Sequence, residues 1–143
     1  MFCDINNELY NPIVRKLVNE SAGDKSTEAM DRKVAEFRRN ENWHLYGLIE
    51  NDEIFGVCGV VIHSDYVEIY SIAVDPNARK RGIGKAMINA VQENYKMTIK
   101  AETDDGAVEF YWKCGFETER FMKTDNDVEC QRYKCVLHTG TQK

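Results

Sequence analysis

The chain has no long apolar segment and no broad excess of basic residues. No apolar run approaches the roughly 20 residues that a membrane-spanning helix needs, and no apolar leader precedes the first predicted elements. The formal net charge is -5, which argues against general nucleic-acid binding, because such binding needs a broad basic surface. We therefore expect a cytoplasmic protein that binds neither membranes nor nucleic acid.

Internal repeats, linkers and low-complexity segments are also absent. With 143 residues, of which 43% are hydrophobic and 30% charged, the chain predicts one globular domain over residues 1–143. Its five cysteines, an odd number at irregular spacing, are typical of free thiols in a reducing compartment. Cys130, Cys135 and His138 lie close in sequence, but a metal site needs a fourth ligand and tighter spacing, so we predict no metal.

Hydrophobic periodicity divides the chain into strands and helices. Residues 1–5 predict a short strand, and a loop is expected at residues 21–25 before a second helix capped by Ser26 or Thr27. The first helix has an apolar stripe made of Tyr10, Ile13, Val14, Leu17 and Val18. Three antiparallel strands are expected at residues 43–50, 54–62 and 66–74.

The second half of the chain predicts a helix that ends near Tyr95, a strand at residues 97–103 and a helix with a stripe over residues 107–114. Two final strands follow at residues 116–123 and 129–137, before a frayed end at residues 139–143. The order predicts an α/β fold with a mixed, mostly antiparallel sheet. Strands 67–74 and 97–103 form its parallel β-α-β unit, with a right-handed crossover.

The stretch over residues 67–86 combines a strand, a turn and the start of a helix. Glycines at the start of a helix let a ligand approach the backbone closely. The first N–H groups of a helix have no internal partners, and together with the helix dipole they attract anions. Four cations stand in the same segment, which consists of Arg79, Lys80, Arg81, Gly82, Ile83, Gly84 and Lys85. We predict phosphate binding at this turn.

Two common nucleotide-binding patterns do not fit this turn. A Walker motif needs Gly-x4-Gly-Lys-Ser/Thr, which the chain lacks. A dinucleotide motif needs a third glycine where the chain has Met87. A nucleotide-binding domain is therefore the disfavoured alternative, although the phosphate argument alone does not distinguish a nucleotide from coenzyme A.

The segment Arg79-x-x-Gly82-x-Gly84 resembles the acyl-CoA-binding signature of the GCN5-related N-acetyltransferases, the GNAT family. Residues 107–116, AVEFYWKCGF, are similar to that family's "A…FY…GF" segment, and they follow one helix and one strand later. The resemblance extends from about residue 43 to residue 121. It implies a GNAT-like fold with a V-shaped opening between strands 67–74 and 97–103.

The resemblance also implies where acetyl-CoA, the cosubstrate, binds. Its pantetheine arm is expected to pair with the backbone of residues 72–74 as an added strand, and its pyrophosphate with the N–H groups of residues 81–85. The family often has Asn at the position of Asp104, which is also expected to cap the following helix; an ionised Asp accepts hydrogen bonds but does not donate them. The remaining residues that the resemblance assigns to the cosubstrate are Ile72, Ala73, Val74, Ala107 and Tyr111.

Acetyl transfer to an amine needs a neutral amine, so a general base is expected. Glu68, in the strand VEIYSIAV, resembles the catalytic Glu of some protein-lysine acetyltransferases of this family. The alternative is an ordinary strand carboxylate that faces solvent or an acceptor amine. His63 and Asp65, in the preceding turn, are further candidates for the base or for binding a cationic acceptor.

The thiolate leaving group benefits from a proton donor. The resemblance places the hydroxyl of Tyr111 near the CoA sulfur, while its apolar stripe also fits a core tyrosine. Cys114 shares that stripe without a His partner in sequence, so an acyl-enzyme is disfavoured.

The expected function is an acetyl-CoA-dependent N-acetyltransferase that acts by direct attack of an amine, in a small molecule or a peptide. The alternative is a non-catalytic acyl-CoA-binding or sensing module on the same fold, and the sequence leaves monomer and homodimer open.

Overall fold

The computed structural model describes residues 1–20 and 25–138, with Asp125 described by its backbone alone. Most of the predicted loop at residues 21–25 and the predicted frayed end at 139–143 lie outside these ranges. The described strands form one sheet in the order β1-β2-β3-β4-β5-β7-β6. Their bounds are β1 Phe2–Asp4, β2 Trp43–Glu50, β3 Glu53–Ile62, β4 Tyr66–Val74, β5 Thr98–Asp104, β6 Glu117–Asp125 and β7 Val128–Leu137. The helices are α1 Pro12–Glu20, α2 Thr27–Arg39, α3 Ile83–Tyr95 and α4 Val108–Lys113.

The pairing confirms the predicted mixed sheet. Strands β2, β3 and β4 form an antiparallel meander, and β4 pairs with β5 in parallel across the crossover helix α3. Strands β5, β7 and β6 are again antiparallel to one another. The sheet is therefore antiparallel except at its β4–β5 step, which is the step nearest the predicted phosphate turn.

Two hydrophobic cores lie on opposite faces of the sheet. Val57 and Cys58 are neighbours on β3 but belong to different cores, as expected because successive strand side chains face opposite sides. Helix α3 contributes Ile88 to one core, and helix α2 contributes Phe37 to the other. The sheet is thus covered by helices α1 and α2 on one face and by α3 and α4 on the other.

The apolar stripe predicted for the first helix is partly wrong. Helix α1 begins only at Pro12, so Tyr10 precedes it, and Tyr10 and Ile13 are 64% and 53% exposed. The Tyr10 hydroxyl accepts a 2.7 Å hydrogen bond from the Arg38 guanidinium instead. The buried part of the stripe is Val14, Leu17 and Val18. The cap of the second helix is confirmed, since the hydroxyl of Ser26 accepts the N–H of Ala29.

The prediction that Asp104 caps the last helix is also wrong. Helix α4 begins at Val108, and its N-cap position is Ala107 rather than Asp104. The Asp104 carboxylate accepts the backbone N–H groups of Gly106 and Ala107 at 3.0 and 3.2 Å. Asp104 therefore stabilises the turn that leads into the helix. The predicted end is confirmed, because Gly115 follows the helix with φ +91°.

Candidate active site

Strands β4 and β5 separate part of the way along their length. Their paired residues are Tyr66 with Thr98, Val67 with Ile99 and Glu68 with Lys100. Both strands then continue, β4 to Val74 and β5 to Asp104, without further pairing to each other. This separation is the V-shaped opening that the resemblance implied. The β4 edge beyond Glu68 is left without a strand partner on the β5 side.

A cavity of about 1240 Å³ lies at this opening. It exceeds the roughly 300–1,000 Å³ of most small-molecule sites, so it has room for an elongated ligand and a second reactant. The structure brings most of the predicted cosubstrate residues to its wall, while Arg81 and Glu68 lie outside the lining. The predicted residues that line it are Ile72, Ala73, Val74, Arg79, Lys80, Gly82, Ile83, Gly84, Lys85, Asp104, Ala107 and Tyr111.

The start of helix α3 faces this cavity. Gly82 is its N-cap, with φ +75°, a conformation that favours glycine. A Cβ at Gly82 would meet no atom within 4 Å, whereas a Cβ at Gly84 would lie 2.6 Å from Phe110 Cε1. No side chain caps the helix, so its first N–H groups are available to a ligand. Gly82 therefore keeps open space in front of the helix, and Gly84 lets helix α4 pack closely.

Arg79 makes two contacts at the wall of the cavity. Its guanidinium lies 3.2 Å from the carboxylate of Glu20 at the end of α1, and its Nε donates to the Val74 carbonyl at 3.4 Å. The ion pair is partly exposed, with 58% of the Arg79 side chain and 28% of the Glu20 side chain accessible, and surface pairs contribute only about 0–1 kcal/mol. Arg79 can therefore exchange the Glu20 carboxylate for an anionic ligand at small cost.

Tyr111 is both a core residue and a cavity residue. It is 5% exposed, and its ring makes edge contacts with Phe110 and Phe116. Burial raises the pKa of Tyr111 above its ordinary value, so the phenol keeps its proton at neutral pH. Burial also raises the pKa of Cys114, against a weaker opposing effect of Lys85, which keeps that residue as a thiol rather than a nucleophilic thiolate.

Glu68 lies where β4 and β5 begin to separate. Its carboxylate is 2.9 Å from Nε2 of His63, and the imidazole of His63 stacks on Tyr66 with the ring centroids 4.3 Å apart. The structure thus joins two of the three predicted base candidates. Asp65, the third, is exposed in the turn between β3 and β4.

Tyr70 is a cavity residue that the sequence reasoning missed. The β3–β4 register passes from Gly59–Ser71 to Val60–Ile69, so Tyr70 stands opposite no residue in a β-bulge. Its ring packs at 4.6 Å from that of Trp43. The side chain that the bulge turns toward the cavity depends on strand register, which no local sequence pattern indicates.

A group of charged residues on β5, β6 and β7 was also missed. Glu102, Lys123 and Arg132 line the cavity, and the carboxylate of Glu102 lies 3.5 Å from Lys123 Nζ and 3.2 Å from Arg132 Nε. These residues come from three strands that are distant in sequence. Only the register of β5, β7 and β6 in the sheet brings them together.

Residues 1–20 and 25–138 contain no group of three His, Cys, Asp or Glu residues that could hold a metal ion. Cys130, Cys135 and His138 are the residues for which the sequence predicted no metal. Cys135 is buried, Cys130 is exposed and Nε2 of His138 lies 3.3 Å from a carboxylate oxygen of Glu117. No helix in the described part of the chain is long and apolar enough to cross a membrane. All five cysteines are free thiols.

The described part of the chain is thus a mixed α/β fold in which a parallel strand pair separates beside the glycine-opened start of a helix, with a large cavity at the separation. A family model described as "Acetyltransferase (GNAT) domain" matches residues 41–118, more than half of the chain. The chain therefore belongs to the GNAT acetyltransferase family, whose cosubstrate is acetyl-CoA. An uncharacterized N-acetyltransferase of Bacillus methanolicus is 29% identical over 87 residues, which is 60% of this chain and 72% of that protein.

Solved structures share the fold. An aminoglycoside 6'-N-acetyltransferase complexed with coenzyme A superposes with a TM-score of 0.77 at 14% identity, covering 100% of this chain and 99% of that one. A GNAT family acetyltransferase from Elizabethkingia anophelis with acetyl-CoA bound gives a TM-score of 0.68 at 20% identity, covering 96% and 97%. At 14% and 20% identity, these similarities show a shared fold only.

Proposed function

We propose that the protein transfers the acetyl group of acetyl-CoA to an amino group of an acceptor, by direct attack of the amine on the thioester. The observation that carries this proposal is the separation of β4 from β5 after Glu68 and Lys100. It leaves the edge of β4 facing a cavity that also reaches the open start of α3. An extended ligand arm with a phosphate end matches this combination.

The backbone of Ile72, Ala73 and Val74 is suited to bind the pantetheine arm as an added strand, a mode in which main-chain hydrogen bonds supply the affinity. The N–H groups at the start of α3 and the nearby Lys80 and Lys85 favour the pyrophosphate. Arg79 joins them by exchanging the carboxylate of Glu20. Asp104 and Ala107 border the cavity across the opening, where Asp104 offers only acceptor oxygens.

Acetyl-CoA supplies a thioester-activated acetyl group. Two side chains of the protein transfer protons: one accepts a proton from the amine and the other donates a proton to the leaving sulfur. An alkyl amine with a pKa near 10.4 is neutral in only about one molecule in 2,500 at pH 7, a deficit of about 4.6 kcal/mol. Glu68, hydrogen-bonded to His63, takes the proton from the amine directly or through water. Tyr111, which burial keeps protonated, donates a proton to the departing sulfur.

The test supplies acetyl-CoA with a panel of amino acids, polyamines, aminoglycosides and peptides, and measures both thiol release and acetylated product. We expect release above the enzyme-free rate with at least one class of amine, and an equal amount of acetylated amine. Tight acetyl-CoA binding without release across the panel would instead favour the non-catalytic acyl-CoA-binding module.

We further propose that residues 1–143 act as one N-acetyltransferase domain, because both cores are built on one sheet. The five free thiols favour a reducing compartment such as the cytoplasm. Fractionation of the cells that produce the protein would test this location.

A further inference from the structure

A basic wall stands on the β5 side of the cavity. We use this name for Lys123, Arg132 and the carboxylate of Glu102 that lies between them. All three line the cavity, and both cations contact the same carboxylate, at 3.5 and 3.2 Å. Arg132 is the less exposed cation, with 31% of its side chain accessible. One carboxylate cannot neutralise two cations, so the wall carries an excess positive charge.

The basic wall faces away from the helices that bind the phosphate end. Ala101 belongs to the core shared with Met87 of α3 and Tyr111 of α4. Glu102 is the next residue on β5, so its side chain points to the opposite face of the sheet. The last β4–β5 pair is Glu68 with Lys100, and beyond it Tyr70 of β4 and Glu102 of β5 both line the cavity. The wall is therefore placed to meet the acceptor rather than the phosphates of the cosubstrate.

The other carboxylates that line the cavity do not remove the excess positive charge, because the described lining carries seven basic and three acidic side chains in all, with Asp104 opposite Arg132 in the β5–β7 pairing. Glu20 pairs with Arg79, and Asp104 accepts the backbone N–H groups of Gly106 and Ala107. Lys25 adds another basic residue to the lining. An acceptor with several positive charges would meet repulsion here, whereas an anionic group would be attracted.

We propose that the acceptor carries an anionic group, a carboxylate or a phosphate, in addition to the amine that is acetylated. Arg132 and Lys123 bind that group, and Glu102 holds the two cations in place before the acceptor arrives. Charge-assisted hydrogen bonds from a guanidinium are strong and geometrically specific for such anions. This inference rests on the proposed function, because it names the class of acceptor for the same site.

The test compares three amines that share one ethylamine unit: ethylamine, β-alanine and O-phosphoethanolamine. We measure kcat/KM for each with saturating acetyl-CoA. We expect at least one anionic amine to exceed ethylamine by about tenfold or more, and the better of the two identifies carboxylate or phosphate as the recognised group. Equal or higher kcat/KM for ethylamine than for both anionic amines would overturn the proposal.

Variants assign the preference to the wall. Arg132→Gln should lower the ratio of kcat/KM for the anionic amine to that for ethylamine about tenfold, through a higher KM for the anionic amine. Arg120→Gln is the matched control, because it makes the same change on β6 but Arg120 stands opposite Tyr133, the neighbour of Arg132 on the other face of the sheet, and does not line the cavity. An equal loss in Arg132→Gln and Arg120→Gln would contradict the assignment.

Binding measurements separate this inference from the proposed function. With the protein saturated with CoA, the Kd of each amine is measured by NMR titration, which requires no turnover. Tighter binding of an anionic amine that Arg132→Gln abolishes would support the wall even if no amine were acetylated, in which case only the proposed function fails. Acetylation without any charge preference in binding or kcat/KM would contradict the anionic acceptor but not the proposed acetyl transfer.

Discussion

Tyr111 combines burial and access at one position, since its ring lies in the core while the residue lines the cavity. Tyr111→Phe removes only the hydroxyl and keeps the ring contacts with Phe110 and Phe116. We expect kcat to fall by about 10²-fold, as for the loss of a general acid. The Kd for acetyl-CoA, measured by calorimetry, should stay within about twofold. Unchanged kcat would remove Tyr111 from the chemistry.

The pH dependence gives a control for this role. Because burial raises the pKa of Tyr111 above the ordinary value near 10, the phenol remains protonated at every pH below that value. Between pH 7 and 9, the kcat of the wild type should therefore change with pH in the same way as the kcat of Tyr111→Phe. Such a fall, present only in the wild type, would show that the phenol loses its proton in this range.

Glu68 is the second residue whose role is open to test. Glu68→Gln keeps the size of the side chain but cannot take a proton at neutral pH, so kcat should fall roughly tenfold to hundredfold. His63→Gln should lower kcat by less, because His63 acts through the carboxylate that it contacts at 2.9 Å. Asp65→Asn, in the exposed turn nearby, is the control. Full kcat in Glu68→Gln would remove Glu68 from the chemistry.

Residue roles were predictable to the extent that they follow from local sequence. The glycines and cations of residues 79–85 could be assigned to a helix start, and the structure brings most of them to the cavity. The pairing of Glu68 with His63 could only be seen in the folded turn. Tyr70 and Arg132 were missed because their placement depends on a bulge and on the register of distant strands.

At the scale of elements, helices α3 and α4 meet at Gly84. A Cβ at this position would lie 2.6 Å from Phe110 Cε1, so Gly84→Ala must displace the ring or the helix. We expect the free energy of unfolding to fall by about 1–3 kcal/mol, as measured by urea titration. The double variant Gly84→Ala with Phe110→Leu should recover part of this loss. Additive losses would mean that the two positions do not interact.

Element order was predictable because each strand and helix carries its own periodicity, while element boundaries depended on single residues. Pro12 fixes the start of α1 and thereby leaves Tyr10 outside the helix. Asp104 satisfies backbone groups in the turn, so α4 begins four residues later, at Val108. The separation of β4 and β5 follows from no local pattern, and the family resemblance alone indicated it.

At the scale of the whole molecule, one sheet supports two cores. Leu45, fully buried under α1 and α2, and Ile88, fully buried on α3, lie in different cores. Leu45→Ala should lower the free energy of unfolding by about 2–5 kcal/mol and Ile88→Val by about 0.5–1.5 kcal/mol. Urea titration of the double variant should give the sum within about 0.5 kcal/mol. A larger deviation would indicate that the sheet transmits the change between the cores.

Charge is distributed unevenly over the molecule. The chain has a net charge of -5, yet the described residues that line the cavity include seven basic and three acidic side chains. An acidic body with a basic cavity concentrates the attraction for an anionic ligand at one place. This arrangement suits acetyl-CoA at the start of α3 and an anionic acceptor at the basic wall.

The most direct measurement of the central claim is amine-dependent thiol release by the wild type, Gly82→Asn and Gly82→Asp. Asn and Asp have nearly the same size and both visit the left-handed region in which Gly82 lies at φ +75°, but only Asp places a negative charge in the open space before α3. We predict that Gly82→Asn retains acetyl transfer, while Gly82→Asp raises the KM for acetyl-CoA at least about 30-fold, because about 2 kcal/mol of repulsion is expected between nearby charges at the protein surface. Equal KM values for the two variants, or no amine-dependent release by the wild type, would contradict the account.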